Sequence, residues 1–141
     1  MGGKIAVGAF AAAWLCAVSI GGAARADVMG TWHIPGNAFQ IQIAPCGGAI
    51  CGILLNSNRI KADPNARDEK NKNPALRGRL LRGITMLQGF TGGPTKWNGS
   101  VYVPGDGQIH RAALILDDAD TMTLKGCQGP FCMTQVFKRL K

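Results

Sequence analysis

The sequence is short of the groups that catalysis usually draws on. From residue 27 to the C-terminus it holds two serines (Ser57 and Ser100), two histidines (His33 and His110) and a single glutamate, Glu69. A nucleophilic triad needs a nucleophile, a base and a group that orients the base. Here His33 follows Trp32 in a strand-like run and His110 alternates with Gln108 and Ala112, so both read as strand residues rather than bases. A paired-carboxylate hydrolase would have to rest on aspartates in turn positions, and two separated histidines make a weak metal site. Nor is there a glycine-rich dinucleotide fingerprint, a phosphate loop or an internal repeat. These absences argue against an enzyme and imply no cofactor and no metal. Aromatic residues are scarce too, at 6%, so Trp97 and Tyr102 are called on for a core before they are spare to line a pocket.

The N-terminus differs in kind from the remainder of the chain. Lys4 precedes an uncharged, alanine-rich run over residues 5–24, and Ala24-Arg25-Ala26 places small residues where a signal peptidase reads. The expectation is a secretory signal peptide over residues 1–26, cleaved after Ala26. An uncleaved anchor is the alternative, since the run approaches the ~20 apolar residues that span a bilayer; its alanines and glycines leave it weakly hydrophobic. Cys16 does not make a lipid-attachment site, because Leu15 stands where a small residue is required. One domain then remains, residues 27–141, with 14 of the 16 basic residues, all 8 acidic ones and a net charge near +6. Its cations are scattered apart from Arg77, Arg79 and Arg82 and a tail of Lys138, Arg139 and Lys141. In an exported protein that pattern serves solubility; it implies no nucleic-acid partner and, after cleavage, no stable membrane span. The expected location is the periplasm or outside the cell.

Four cysteines remain in the domain: Cys46, Cys51, Cys127 and Cys132, in two matching C-x4-C pairs. An even count in a small exported domain reads as two disulfides, with three pairings open in principle. Gly47-Gly48 and Gly129-Pro130 suit tight turns that bring each pair together, which favours Cys46–Cys51 and Cys127–Cys132. A four-thiolate zinc site competes on spacing, and an oxidising compartment argues against it.

The rest is strand and turn. Phe39, Ile41 and Ile43 alternate with Gln40 and Gln42, the period of two that marks a half-buried strand. Strands are expected over residues 29–34, 38–44 and 50–55, then over 84–90, 96–103, 108–116, 121–127 and 132–140. In the fifth of these, Trp97, Val101 and Val103 share one face and Tyr102 takes the other. Between the third and fourth strands, residues 56–72 read as a long polar loop, and 74–80 as one helical turn capped by Asn73 with Pro74 at its first position. Eight strands joined by short turns form an antiparallel up-and-down meander that can close into a barrel holding one small ligand.

The best functional candidate is Asn73-Pro-Ala-Leu-Arg-Gly-Arg79. Arginine forks suit carboxylate or phosphate groups. Arg77 and Arg79, beside a barrel mouth, would grip an anionic headgroup while the barrel takes an apolar tail. The structural alternative is that both arginines tie the loop down on Asp63, Asp68 or loop carbonyls.

Several blocks occur in order along the chain: Gly30-Thr-Trp32, Pro45-Cys46-Gly with Cys51-Gly52, Asn73 to Arg79, Gly83-Ile-Thr-Met-Leu87, Trp97-Asn-Gly99, Tyr102 to Gly107, and Gly126-Cys127 with Cys132-x-Thr-Gln135. Together they resemble the exported bacterial family catalogued as domain of unknown function 2147. The resemblance implies a lipocalin-like (calycin) β-barrel in the bacterial envelope and supplies no reaction. Arg82-Gly83 departs from the family's more apolar approach to the fourth strand, and Phe137 stands where another aromatic is usual. Gly-x-Trp also resembles the opening of a lipocalin strand, over whose tryptophan a late arginine packs; Arg139 over Trp32 would be that structural plug. The expected function is binding of a small apolar or anionic amphipathic ligand, with Asn73, Arg77, Arg79, Trp97 and Tyr102 as ligand-binding candidates. The alternative is a filled barrel acting as an envelope stress or protein-interaction module.

Overall fold

The alternation of apolar and polar residues is realised as eight antiparallel strands: β1 (Gly30–His33), β2 (Gln40–Cys46), β3 (Ala49–Asn56), β4 (Thr85–Gly92), β5 (Lys96–Val103), β6 (Gln108–Asp118), β7 (Thr121–Gln128) and β8 (Phe131–Arg139). Each pairs with the next and β8 returns to β1, so the sheet closes into a barrel. The computed structural model describes residues 27–141 together with glycines 2, 3 and 8. The expected signal peptide falls, those glycines apart, outside the described residues.

Inward parity fills the lower barrel. Trp32, Ile41, Ile43, Phe90, Leu114, Met122 and Phe137 are all essentially without solvent contact. Two glycines make room for the larger side chains. A Cβ at Gly99 would lie 2.6 Å from the Phe90 ring, and one at Gly52 would lie 2.8 Å from Leu87, so the sheet can bring these positions close only without side chains. The turn at 47–48 and the turn at 129–130 close on disulfides Cys46–Cys51 and Cys127–Cys132. All four domain thiols are thereby spent, and the zinc alternative is removed.

The base of the barrel is plugged. Trp32 donates its indole N–H to the Val28 carbonyl at 2.8 Å, and the Arg139 guanidinium lies 4.3 Å from the ring centroid above it. Arg139 also donates to the carbonyls of Ala119, Met29 and Asp27. It thus ties the β6–β7 turn and the segment before β1 to the end of β8. Where β1 meets β8 the barrel is closed at only two register pairs, Trp32↔Arg139 and His33↔Lys138. Residues 131–137 of β8 pair with β7 alone, and Phe131 and Met133 there are 78% and 82% exposed.

The opposite end is elaborated by the excursion between β3 and β4. Residues 56–72 do not form the continuous loop expected of them: a short helix α1 (Asn58–Ala62) opens the segment, with Ser57 Oγ accepting from the Ile60 N–H at 3.2 Å. Ile60 and Ala66 are buried, so the segment contributes to the core. Five residues are too few to show helical periodicity; the serine cap was the available signal. The second helical feature is shorter than expected, a 3-10 turn over Pro74–Leu76, with Asn73 Oδ1 accepting from the Ala75 N–H.

Truncating the plug should cost more than any surface change. Trp32→Ala is expected to lose about 3–5 kcal/mol, and Arg139→Ala about 2 kcal/mol through its cation–π contact and carbonyl bonds. Urea denaturation followed by tryptophan fluorescence checks Arg139→Ala, and circular dichroism checks both.

Candidate functional site

Two concavities lie at the elaborated end, and they are separated by the barrel wall. The first is the barrel mouth, a cavity of about 320 Å³. Its walls are Phe39, Leu54, Leu81, Met86 and Val103, with Asn58 and Arg59 of α1 at the rim. These apolar residues come from β2's approach, β3, the excursion, β4 and β5. They form the upper end of the same inward-facing set that fills the barrel below, and Phe39 meets Phe137 beneath it in a tilted contact, ring centroids 5.8 Å apart at 60°.

The second is a cleft of about 550 Å³ on the outer wall. It exists because the excursion folds back over β5. Arg67 pairs with Leu80, Asp68 N–H donates to the Arg79 carbonyl at 3.0 Å and Leu81 N–H to the Ala66 carbonyl at 2.9 Å. This lays residues 66–81 over the outward face of β5. Tyr102 points outward, yet is buried because the excursion covers it. At Gly107 (φ +69°) the approach is so close that a Cβ would meet the Lys70 carbonyl oxygen at 1.8 Å; only glycine fits there.

Asp68 is the node of this region. Its side chain is completely buried, and it accepts from Tyr102 Oη at 2.6 Å, Asn71 Nδ2 at 2.8 Å and Arg79 Nε at 3.0 Å. A second Arg79 nitrogen lies 2.9 Å from the same carboxylate oxygen. Burial pushes the carboxyl pKa up, but hydrogen bonds from Tyr102, Asn71 and Arg79 together outweigh it and hold Asp68 below its ordinary value. Burial and the Asp68 carboxylate push the Tyr102 phenol up to about 12.

The residues singled out from sequence divide accordingly. Asn73, Arg79 and Tyr102 line the outer cleft. Arg77 stands beside it, its Nε donating to the Asn71 carbonyl at 2.8 Å. Trp97 does not join them. It sits five residues before Tyr102 on β5, facing inward near the base, paired with Gly92 and Leu114. Neither Arg77 nor Arg79 borders the mouth; the arginine that does is Arg59, which donates to the Arg67 carbonyl at 3.3 Å. Sequence reading offered Asp68 as one arginine partner and missed that it also binds Tyr102. The mouth lining carried no signal beyond inward parity.

Among the other polar groups, His110 Nε2 lies 3.0 Å from Asp106 Oδ2. Burial raises and a Gln108 backbone N–H, with His110, lowers the Asp106 pKa, and the lowering wins. Ser57 is spent as the helix cap, while Ser100 pairs with Arg111 on the face opposite to His110. No group of metal-ligating side chains forms among the described residues.

An eight-stranded antiparallel barrel with a plugged base and an open mouth is the architecture of a lipocalin-like protein. The solved structure of protein HP1028 from the human pathogen Helicobacter pylori, whose description places it in the lipocalin family, matches with a TM-score of 0.70 over 82% of this chain and 84% of that one. Sequence identity is 17%, so the likeness is one of fold. Residues 30–139 match the family described as an uncharacterized protein conserved in bacteria, DUF2147, and the chain belongs to that family. No curated protein matches the sequence.

Tyr102 is the chain's single tyrosine, so tyrosinate absorbance reports it alone. The folded protein should titrate with a midpoint of about 12; a midpoint at the ordinary value of ~10 would show that Asp68 does not hold the phenol. Stability inherits the sign of each shift. Asp68 has a lowered folded pKa, so its contribution is present above the unfolded carboxyl range and fades as pH falls through the folded value. Tyr102 has a raised one, so its contribution is complete below ~10 and is lost as pH rises through about 12. Tyr102→Phe should abolish the alkaline loss and lower stability by about 2 kcal/mol, measured as urea midpoints across pH.

Proposed function

We propose that this chain is an exported, disulfide-stapled barrel of the bacterial envelope that binds a small apolar or amphipathic molecule in its mouth. The observation that carries this reading is the cavity of about 320 Å³ walled by Phe39, Leu54, Leu81, Met86 and Val103. Its volume is at the small end of the range for small-molecule sites, and its lining is apolar with a few polar groups at the rim, as such sites are. The filled core below limits the ligand's depth. Phe39 rests on Phe137, and Trp32, Phe90 and Leu114 occupy the interior further down. A short chain or a single ring suits this space. A headgroup would emerge beside Arg59 and Asn58 rather than beside Arg77 and Arg79. Binding involves no catalytic step and no cofactor.

Export is supported by the two disulfides, which mark an oxidising, non-cytoplasmic compartment. Among the described residues no helix is long and apolar enough to cross a membrane. Periplasmic or secreted placement is part of the proposal.

A second reading, a protein-interaction module, is favoured by β8. Its residues 131–137 lack a strand on one side, and Phe131, Met133 and Val136 are exposed; unprotected apolar edges of this kind invite pairing with another chain.

Fluorescence of N-phenyl-1-naphthylamine, an apolar dye that carries no anionic group, separates the two. The dye should bind at one site and be displaced by octanol. Val103→Trp, which fills the mouth, should weaken dye binding by about tenfold or more, equivalent to at least ~1.4 kcal/mol, with the melting temperature little changed. Dye binding that ignores Val103→Trp would remove the mouth as the site and leave the β8 edge as the apolar surface in play.

A further inference from the structure

The outer-wall cleft has features that the mouth reading does not use. Arg79 is held with unusual care for a surface arginine. One edge of its guanidinium, Nε and a terminal nitrogen, is spent on the buried Asp68 carboxylate. The same group lies 5.6 Å from the centroid of the Tyr102 ring, and its side chain remains 36% exposed. Its other terminal nitrogen, Nη1, makes no hydrogen bond among the described residues. Arginine carries five N–H donors in a rigid fork, so a guanidinium fixed along one edge presents the remaining donors in a set direction.

Tying down a loop does not require this arrangement. Burying a carboxylate is costly unless it is fully hydrogen-bonded, and the excursion is already anchored by Ile60, Ala66 and Leu81 in the core. A buried acid that fixes a partly exposed arginine is the construction expected where a functional group must be preorganised. The rest of the cleft agrees. Lys72 faces it and forms no salt bridge among the described residues, while Asn73 spends its carbonyl oxygen on the Ala75 N–H and keeps its amide donors free. The acid at the centre, Asp68, is sealed from solvent; Asp106, paired with His110 at the rim, lies within electrostatic reach of Lys72. Leu76 and Ile109, 37% and 61% exposed, supply apolar walls on either side.

We infer that the outer cleft between residues 71–79 and β4–β6 is a binding site for a small oxyanion, a carboxylate or phosphate group. Arg79 and Lys72 bind its oxygens and Leu76 and Ile109 flank a short apolar body. The site is independent of the mouth, from which the barrel wall divides it.

Amide NMR titrations of the folded domain with inorganic phosphate and with butyrate, at constant ionic strength, test this. At least one anion should give saturating shifts centred on Lys72, Arg79 and Ile109. Lys72→Glu, a change at an exposed side chain outside the Asp68 network, should weaken binding by at least about tenfold, the loss of one charge-assisted contact. Arg79→Lys retains a cation for Asp68 but not the second donor edge, and should abolish saturation. Saturation by butyrate with Ile109→Ser weakening it identifies an organic carboxylate; saturation by phosphate, unaffected by Ile109→Ser, identifies a phosphate group. Shifts that fail to saturate with both anions, spread evenly over surface cations, or persist unchanged in Lys72→Glu overturn the inference. Val103→Trp should leave anion binding intact and Lys72→Glu should leave dye binding intact, so each site stands or falls alone.

Discussion

A carboxylate with no contact to solvent dictates the shape of the functional end of this barrel. Asp68 cannot be left charged and buried without donors, and it receives them at three increasing distances along the chain: from Asn71 within its own turn, Arg79 on the returning limb and Tyr102 on β5. Meeting that requirement fixes the excursion onto the outer wall. The fold-back brings Lys70 against Gly107, covers Tyr102 and creates the cleft. An apolar residue at 68 could fill the space, but it would not orient an arginine or hold a phenol in its neutral form.

Two environments, one apolar and one mixed, are therefore kept apart by a single layer of sheet. Inside, the residues with inward parity are buried at the base and leave a cavity at the mouth, where Phe39, Leu54 and Val103 are the last of their rows. Outside, the excursion builds a mixed polar and apolar environment around Tyr102. Val101 and Tyr102, adjacent in sequence, belong to the two different sides. The barrel provides the scaffold; its chemical character comes from the one long connection.

Much of this was legible in the chain, for reasons that differ from residue to residue. Strands were readable because Phe39, Ile41 and Ile43 alternate with glutamines and because Pro104-Gly-Asp-Gly107 cannot continue a strand. The disulfides were readable from loop length and turn residues. Arg139 over Trp32 came from likeness to a known pattern, not from any local rule. The excursion was not readable, because its structure depends on tertiary contacts: Ile60 and Ala66 are isolated apolar residues in a polar run, and only the fold shows that each is buried. The division of Arg77 and Arg79 from the mouth was hidden for the same reason. Sequence places them before β4; it does not say on which side of the wall they land. Trp97 and Tyr102 were separable from the alternation along β5 alone, which already put them on opposite faces. Five residues apart on one strand, they have opposite facing and lie roughly 16 Å apart along it.

The short seam between β1 and β8 gives the molecule a particular mechanical character. The segment before Gly30 and the tail after Arg139 leave the barrel side by side at its plugged base. Tension applied to these two ends loads the ladder at its outermost rung and peels it, instead of shearing all rungs together. The seam is short, two register pairs with the Leu140 N–H donating to the Thr31 carbonyl at 2.9 Å just outside them, and past His33↔Lys138 β8 has no further partner on that side. Resistance to such a pull falls on the Arg139 guanidinium, which grips carbonyls on both sides of the seam. The barrel is stapled at two turns and tightly filled, yet under load from its termini it would open like a clasp, and one arginine is the catch.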